Sequence, residues 1–431
     1  MPDQTVPDQT APDRTAPDRT APDRTAPEPT ADGVVRDVVF TFSYETYTDA
    51  ARRGMMRPPD RILHSLMESP QVGRLIVANP FRFLPTTLVR GALGREVDFP
   101  STPQRVLHTP LRLRRSDPTD IAGLEKEYRA YDQGIAKLAD EMELVRPVVV
   151  TTSPVVAGFS PFEWAEHVMF FARDDWTTST RWKGHWPAFQ EAYRRVATSG
   201  RSVTAVSQEI IDRIAPTGPH AVVPNGVSPE EWTGPVPDAP EWLSRIPGPR
   251  ALHVGTLDDR LDVEGIVAVA TAHPELQIVL MGPQPDPGYL APLAPFANVH
   301  LHHSVGRREL VATMRNVELC LLAHRRTPLT EAMSPLKLYE YVASGCPVIS
   351  VDLPPIHGIS DRIRIVPTMA EFAAVVDDAL ADGPATEDER LGWIHANSWA
   401  ARHETVLDIL LDRNDGRARA GGATPSALQA G

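Results

Sequence analysis

The stretch from Ser334 to Ser350 reads SPLKLYEYVASGCPVIS. Pro335 suits the first turn of a helix, where its missing N–H is no loss, and Ser334 just before it suits a cap. Gly345 stops that helix, predicted over Leu336–Ser344, and Pro347 follows the stop. The apolar run Pro347–Val351 then predicts a strand, so helix passes into strand within a few residues.

The same alternation extends outward in both directions. On the N-terminal side, strands are predicted at Ala251–Val254, Gln277–Met281, Val299–His302 and Leu319–Ala323, and on the C-terminal side at Arg364–Val366. Helices fall at Asp262–Ala272, Arg308–Arg315 and Met369–Ala381. Before residue 233 the pattern repeats. Strands are expected at Val34–Phe42, Arg74–Ala78, Val148–Thr152, Val168–Ala172, Ser202–Val206 and Ala221–Val223, with helices at Ile121–Glu143 and Trp186–Ala197. Unbroken apolar runs such as Val148–Val150 mark strands covered on both faces, and strand–helix alternation implies a doubly wound parallel sheet. The stretch TGPVPDAPEWLSRIPGPR over residues 233–250 separates the two series and reads as a linker. The expectation is therefore two Rossmann-like units, residues 33–232 and 251–396, whose ligands bind in a cleft outside the carboxyl ends of the strands.

Composition supports a globular chain. Of 431 residues, 42% are hydrophobic and 23% charged, and the net charge of −13 disfavours non-specific nucleic-acid binding. No apolar run is long enough to span a bilayer, and no secretory signal is expected at the N-terminus. The two cysteines, Cys320 and Cys346, lie in apolar runs and read as buried thiols in a reducing compartment, the cytoplasm. Residues 2–31 repeat a proline-led pentad (PDQTV, PDQTA, PDRTA and relatives), which builds no core. Segments 1–32 and 414–431 are thus expected to be disordered.

Chemistry concentrates on the quoted helix. Lys337 and Glu340 share one face near its start. A helix N-terminus beside a lysine seats a diphosphate, and a carboxylate one turn on can accept hydrogen bonds from ribose hydroxyls. The plainer alternative is a solvated Lys–Glu pair.

The segment resembles the donor-site helix of group 1 (family 4) GT-B glycosyltransferases, in the variant S-P-x-K-x-x-E-Y-x-A-x-G-x-P-V, including teichuronic-acid and cell-surface polysaccharide enzymes. The resemblance implies a GT-B fold and a transferase that moves a sugar from a UDP- or GDP-sugar with retention of configuration. Glu340 would bind the ribose and Lys337 would lie near the phosphates, with Ser334 and Pro335 at the helix start. Many relatives carry a second glutamate eight residues before the first; here that place is Ala332, with Glu331 one residue out of register. The segment His253–Asp262 resembles the first strand and loop of the donor domain. Gly255 and Thr256 would admit the ligand and Arg260 would neutralise the diphosphate, so Lys337 and Arg260 stand in for a metal and none is expected. Val223–Val227 resembles the turn between domains, and Asn397–Arg402 the start of a late helix, residues 397–413, that packs back on the first domain. In the first half, Ser43–Asp49, Met56–Pro58 and Phe171–Trp176 resemble cleft-facing loops, which makes Arg57, Asp174 and Asp175 candidates to orient the acceptor; Asp175 is taken as the catalytic one.

Acceptors in this reading are saccharide, lipid-linked or small-molecule hydroxyls. Arg105, Arg112, Arg114 and Arg115 form a basic patch that could meet anionic headgroups at the inner face of a membrane. The run His300, His302 and His303 splits across two faces of a strand and makes a poor metal site. Two other functions fit the same scaffold: a nucleotide-sugar 2-epimerase, and a nucleotide-sugar-binding protein without turnover.

Overall fold

The computed structural model describes residues 35–94 and 96–410. The pentad segment and the C-terminal tail lie outside the described residues, so those expectations are not addressed by it.

The first lobe is a seven-stranded parallel sheet. Its strands are β1 (Arg36–Thr41), β2 (Val72–Ala78), β3 (Arg105–His108), β4 (Val148–Thr151), β5 (His167–Ala172), β6 (Ser202–Ala205) and β7 (His220–Val222). They lie in the order β3-β2-β1-β4-β5-β6-β7. Val38 of β1 sits opposite Leu75 on one side and Val148 on the other. Alternate residues feed two cores: Val38 and Phe40 pack on one face, Val39 on the other. Both faces are covered, which is why these strands read as unbroken apolar runs.

The second lobe carries β8 (Arg250–Val254), β9 (Gln277–Met281), β10 (Val299–His302), β11 (Leu319–Leu322), β12 (Val348–Val351) and β13 (Ile363–Val366). Its order, β10-β9-β8-β11-β12-β13, is that of a Rossmann sheet. The order reverses between β8 and β11, and in the first lobe between β1 and β4. A crevice opens at each reversal because the connections leave in opposite directions.

Four helices place the site. They are α1 (Pro58–Glu68), α2 (Val263–Ala272), α3 (Leu336–Ser344) and α4 (Trp399–Leu410). Helix α3 ends at Gly345, in the left-handed region with φ +85°. The Tyr341 hydroxyl of α3 accepts from the Val254 N–H at 2.7 Å, which fixes the helix against the end of β8. Val406, Leu407 and Leu410 of α4 bury into the first-lobe core. The chain crosses between lobes twice, side by side: Val227 N–H donates to Asn397 O at 3.0 Å and Trp399 N–H to Val227 O at 2.9 Å. Residues 233–250 lie against the second lobe, where Asn316 donates to Pro237 O at 2.8 Å and Trp242 stacks on His302 at 3.9 Å. Both cysteines are buried and free. Among the described residues no helix is long and apolar enough to cross a membrane.

Candidate active site

The loop after β8 turns at Gly255, whose φ of +146° suits glycine. A Cβ there would stand 2.6 Å from the Lys337 ammonium, so this position gives the lysine room to lie across the backbone. Lys337 reaches that place from the first turn of α3. Helix α3 starts at Leu336 with Pro335 at the cap position and no side chain capping its first turn. The sequence placed the cap at Ser334, and this is corrected. Ser334 is buried, its hydroxyl lies 3.5 Å from the Tyr339 hydroxyl, and its carbonyl accepts from Asn225 at 2.7 Å. Ser334 and Pro335 therefore anchor the crossing between lobes. Proline as the cap cannot offer a hydroxyl, so the helix start stays open to an anion.

Thr256 and Arg260 line a cavity of about 310 Å³, joined by Asp258, Asp259, Leu329 and Met333. The facing wall comes from the first lobe: Tyr44, Asp174, Trp176 and Trp182. The cavity thus spans the carboxyl ends of both sheets. Arg260 is held bidentately by Asp258, with Nε 2.9 Å from Oδ1 and a terminal nitrogen 2.8 Å from Oδ2, which fixes the plane of its guanidinium. Burial, with help from Arg260, lowers the Lys337 pKa to about 7.

Glu340 sits one turn further along α3, 8% exposed. Burial raises its pKa, against the pull of Arg307. Its Oε1 is 2.5 Å from Arg307, which also donates to Glu231 at 2.6 Å; Glu231 accepts from Arg61 of α1 at 3.0 Å. An alternating chain of charges therefore links Glu340 to the other lobe. Nothing local in the sequence marked Arg307 or Glu231, because their pairing is made only when distant elements meet.

On the first-lobe side the two aspartates part company. Asp174 lines the cavity beside Arg173, at 3.3 Å, and burial pushes its pKa up while Arg173, Arg260 and Arg57 oppose the shift. Asp175 is 1% exposed and does not face the cavity. Its carboxylate pairs with Arg213 at 2.8 Å and accepts from the Thr177 backbone and hydroxyl at 3.0 and 2.7 Å. The assignment of Asp175 as catalytic is corrected: the loop after β5 turns its carboxylate inward, where Arg213 and Thr177 hold it, and it does not line the cavity. Arg57 is tied to Glu45. Tyr44, Trp176 and Trp182 meet with ring centroids 5.6–6.1 Å apart and continue into a mainly apolar recess bounded by Val155, His185 and Phe189.

Neither Ala332 nor Glu331 reaches the cavity. Ala332 packs into the first-lobe core and its carbonyl accepts from Ser207 at 2.7 Å, while Glu331 pairs with Arg326 at 3.2 Å. Of the basic patch, Arg105 donates to the Met67 carbonyl, and Arg112 is paired with Asp117 and Glu127, both at 2.5 Å. His300 bonds Gln277 at 2.8 Å. Among the described residues, His273, Glu275 and Asp377 have metal-ligand spacing, but they lie where β9 begins, at the end of the sheet opposite the cavity.

No protein-family model matches the chain. A Bacillus subtilis (strain 168) protein described as a teichuronic acid biosynthesis glycosyltransferase, TuaH, is 26% identical over 103 residues, which are 23% of this chain and 26% of that protein. The chain thus matches about a quarter of that relative's length. Among solved structures, sucrose-phosphate synthase from Thermosynechococcus elongatus superposes with a TM-score of 0.62 at 13% identity, covering 86% of this chain and 97% of that one. The α,α-trehalose 6-phosphate synthase of Burkholderia multivorans gives 0.62 at 13%, over 88% and 99%. An E. coli trehalose-6-phosphate protein bound with UDP-2-fluoro glucose gives 0.61 at 12%, over 87% and 99%. At such identities the likeness shows the fold: α/β, GT-B, two Rossmann-like lobes facing a cleft.

Proposed function

We propose that this protein transfers a sugar from a nucleoside-diphosphate sugar to an acceptor hydroxyl, and does so with its own cations. The observation that carries the proposal is the cavity lined by Thr256 and Arg260 of one lobe and by Asp174 among aromatic rings of the other, with the Lys337 ammonium lying over Gly255 next to Thr256. TuaH, and the neighbour bound with UDP-2-fluoro glucose, support this reading.

In it, the donor diphosphate lies against the first turn of α3, between Lys337 and Arg260. As the bond from the anomeric carbon to phosphate oxygen lengthens, negative charge grows on that oxygen, and the two cations and the helix start stabilise it. The acceptor oxygen bonds to the anomeric carbon on the same face, and its proton passes to the departing phosphate oxygen. The products are a glycoside of retained configuration and a nucleoside diphosphate. Arg307 takes Oε1 of Glu340, which leaves Oε2 for a ribose hydroxyl. The acceptor enters from the first lobe, where aromatic faces suit sugar rings or apolar aglycones and Asp174 accepts a hydroxyl. Saccharides or glycolipid precursors of a cell-surface polymer, handled in the cytoplasm or at the inner membrane face, fit that entrance.

Release of UDP or GDP from their sugars, measured with and without acceptor, tests the reading. Release that rises with acceptor and survives EDTA is expected. An epimerised sugar without acceptor points to a 2-epimerase, and saturable binding without product to a binding protein; either outcome overturns the proposal, as does strict dependence on Mn²⁺.

A further inference from the structure

Behind the Lys337 ammonium lies an imidazole that the transfer reaction does not call for. His324 lies two residues past the end of β11, at the same sheet reversal as Gly255, and is 3% exposed. Its Nε2 is 3.0 Å from Lys337 Nζ. Its other nitrogen, Nδ1, is buried without a hydrogen-bond partner. Beyond it stands His253 of β8, ring centroids 5.9 Å apart, fully buried. His253 Nδ1 lies 3.0 Å from the Leu321 carbonyl and must carry the proton there, since a carbonyl only accepts. Its Nε2 has no partner.

A neutral imidazole has one N–H and one lone pair, and the two can exchange places. Facing an ammonium, His324 Nε2 must accept, with the proton on Nδ1. Facing a neutral amine, Nε2 can instead donate to the amine lone pair. Leaving Nδ1 unengaged allows both forms, because no third group dictates the tautomer.

We propose that His324 is a positioning residue that holds Lys337 over Gly255 in both protonation states, exchanging donor for acceptor, so that diphosphate binding draws a proton onto the lysine. Burial, then Lys337, keep the pKa values of both histidines well below the usual 6.5, so both stay neutral. Besides these rings, the charged groups that act on Lys337 are Arg260, Asp258 and Glu340; the arginine disfavours its charge and the acids favour it. A diphosphate adds negative charge at the place where the ammonium lies. The proposal rests on Lys337 as the diphosphate ligand, and its test separates the two ideas.

In the free protein, selective ¹⁵N-histidine labelling reads the tautomer of His324 without any ligand. From pH 6 to 9 its protonated nitrogen should change from Nδ1 to Nε2 without an imidazolium, and the change should vanish in Lys337→Met. An imidazolium forming in that range, or one fixed tautomer, overturns the proposal. Calorimetry of UDP and GDP in buffers of different ionisation enthalpy then reads uptake of about one proton per nucleotide at pH 8, and close to none at pH 6. Binding without uptake sinks the inference and spares the reading of Lys337; binding undiminished in Lys337→Met sinks both. His324→Phe should lower kcat/KM for the donor about tenfold, while His324→Gln, whose amide can donate or accept, should recover most of it. Equal loss in both, with both folded, also refutes the role.

Discussion

Replacing Lys337 by methionine should stabilise the ligand-free protein while removing its ability to gain stability from a nucleotide. Burial and then Arg260 disfavour the ammonium more than Asp258 and Glu340 favour it, and its pKa falls from 10.5 to about 7. At about 1.4 kcal/mol per unit, the charged form is some 5 kcal/mol worse off folded than unfolded. At pH 7 about half the folded molecules shed the proton, and the remaining handicap is about 4 kcal/mol. Methionine keeps the length of the stem without the charge, but it leaves His324 Nε2 without a partner, which returns about 1–3 kcal/mol. The net expectation at pH 7 is a gain of about 1–3 kcal/mol, or a few °C in the melting temperature. The sign with pH is definite. Between pH 7 and 10.5 the unfolded chain binds more protons at this site than the folded one, so wild-type stability from this group rises with pH across that window. The methionine variant should lack the rise, and because its cost at His324 does not change with pH the two curves should cross at about pH 9, above which wild type is the more stable. Scanning calorimetry at pH 6, 7, 8 and 9, with and without UDP or GDP, reads all of this. A variant that melts lower than wild type at pH 7, with no difference in pH dependence, would refute the claim that Lys337 sits charged at a cost.

Gly255→Ala should keep the fold and weaken nucleotide binding at least tenfold, because its Cβ would press on the Lys337 ammonium and the backbone at φ +146° resists it; titration calorimetry with UDP or GDP checks this. Asp174→Asn should lower kcat/KM for the acceptor while leaving the melting temperature within a degree or two, whereas Asp175→Asn should leave the kinetics and cost about 1–2 kcal/mol by loosening Arg213 and Thr177. Arg307→Met should destabilise by about 2–3 kcal/mol at pH 8 and less at pH 5, since Glu340 then lacks its partner and its raised pKa makes stability fall as pH climbs above 4.5; unfolding at the two pH values measures the difference.

Interior strands were legible because burial on two faces shows as an apolar run, as in Gln277–Met281, which matches residue for residue; the partly exposed edge strand Val299–His302 matches as well. The edge strand Arg105–His108 is half-buried, carries arginine and histidine, and gave no such signal. The site divides along the same line. Gly255, Arg260 and Lys337 were readable because each sits on a short local pattern: a strand end, a loop, a helix start. Asp174 and Asp175 were readable as a pair but not as individuals, since which of two neighbours faces a cavity depends on where β5 ends. His324, Glu231 and Arg307 left no local pattern at all, because they act through partners brought from elsewhere in the chain.

That division bears on why the Lys337 site is built as it is. Under the proposed function, a lysine that holds a diphosphate could have been placed on the surface, fully charged and at no cost to folding. Here it is enclosed with Arg260, over a glycine and against a neutral ring, so that its charge is costly until an anion arrives. The consequence expected from the proposal is selectivity by charge. A ligand that brings two phosphates to this corner removes the penalty, while a neutral sugar or an acceptor entering from the first lobe does not. Binding energy that a surface lysine would give to any anion is kept for one that reaches both cations at once, which is the geometry a leaving nucleoside diphosphate presents.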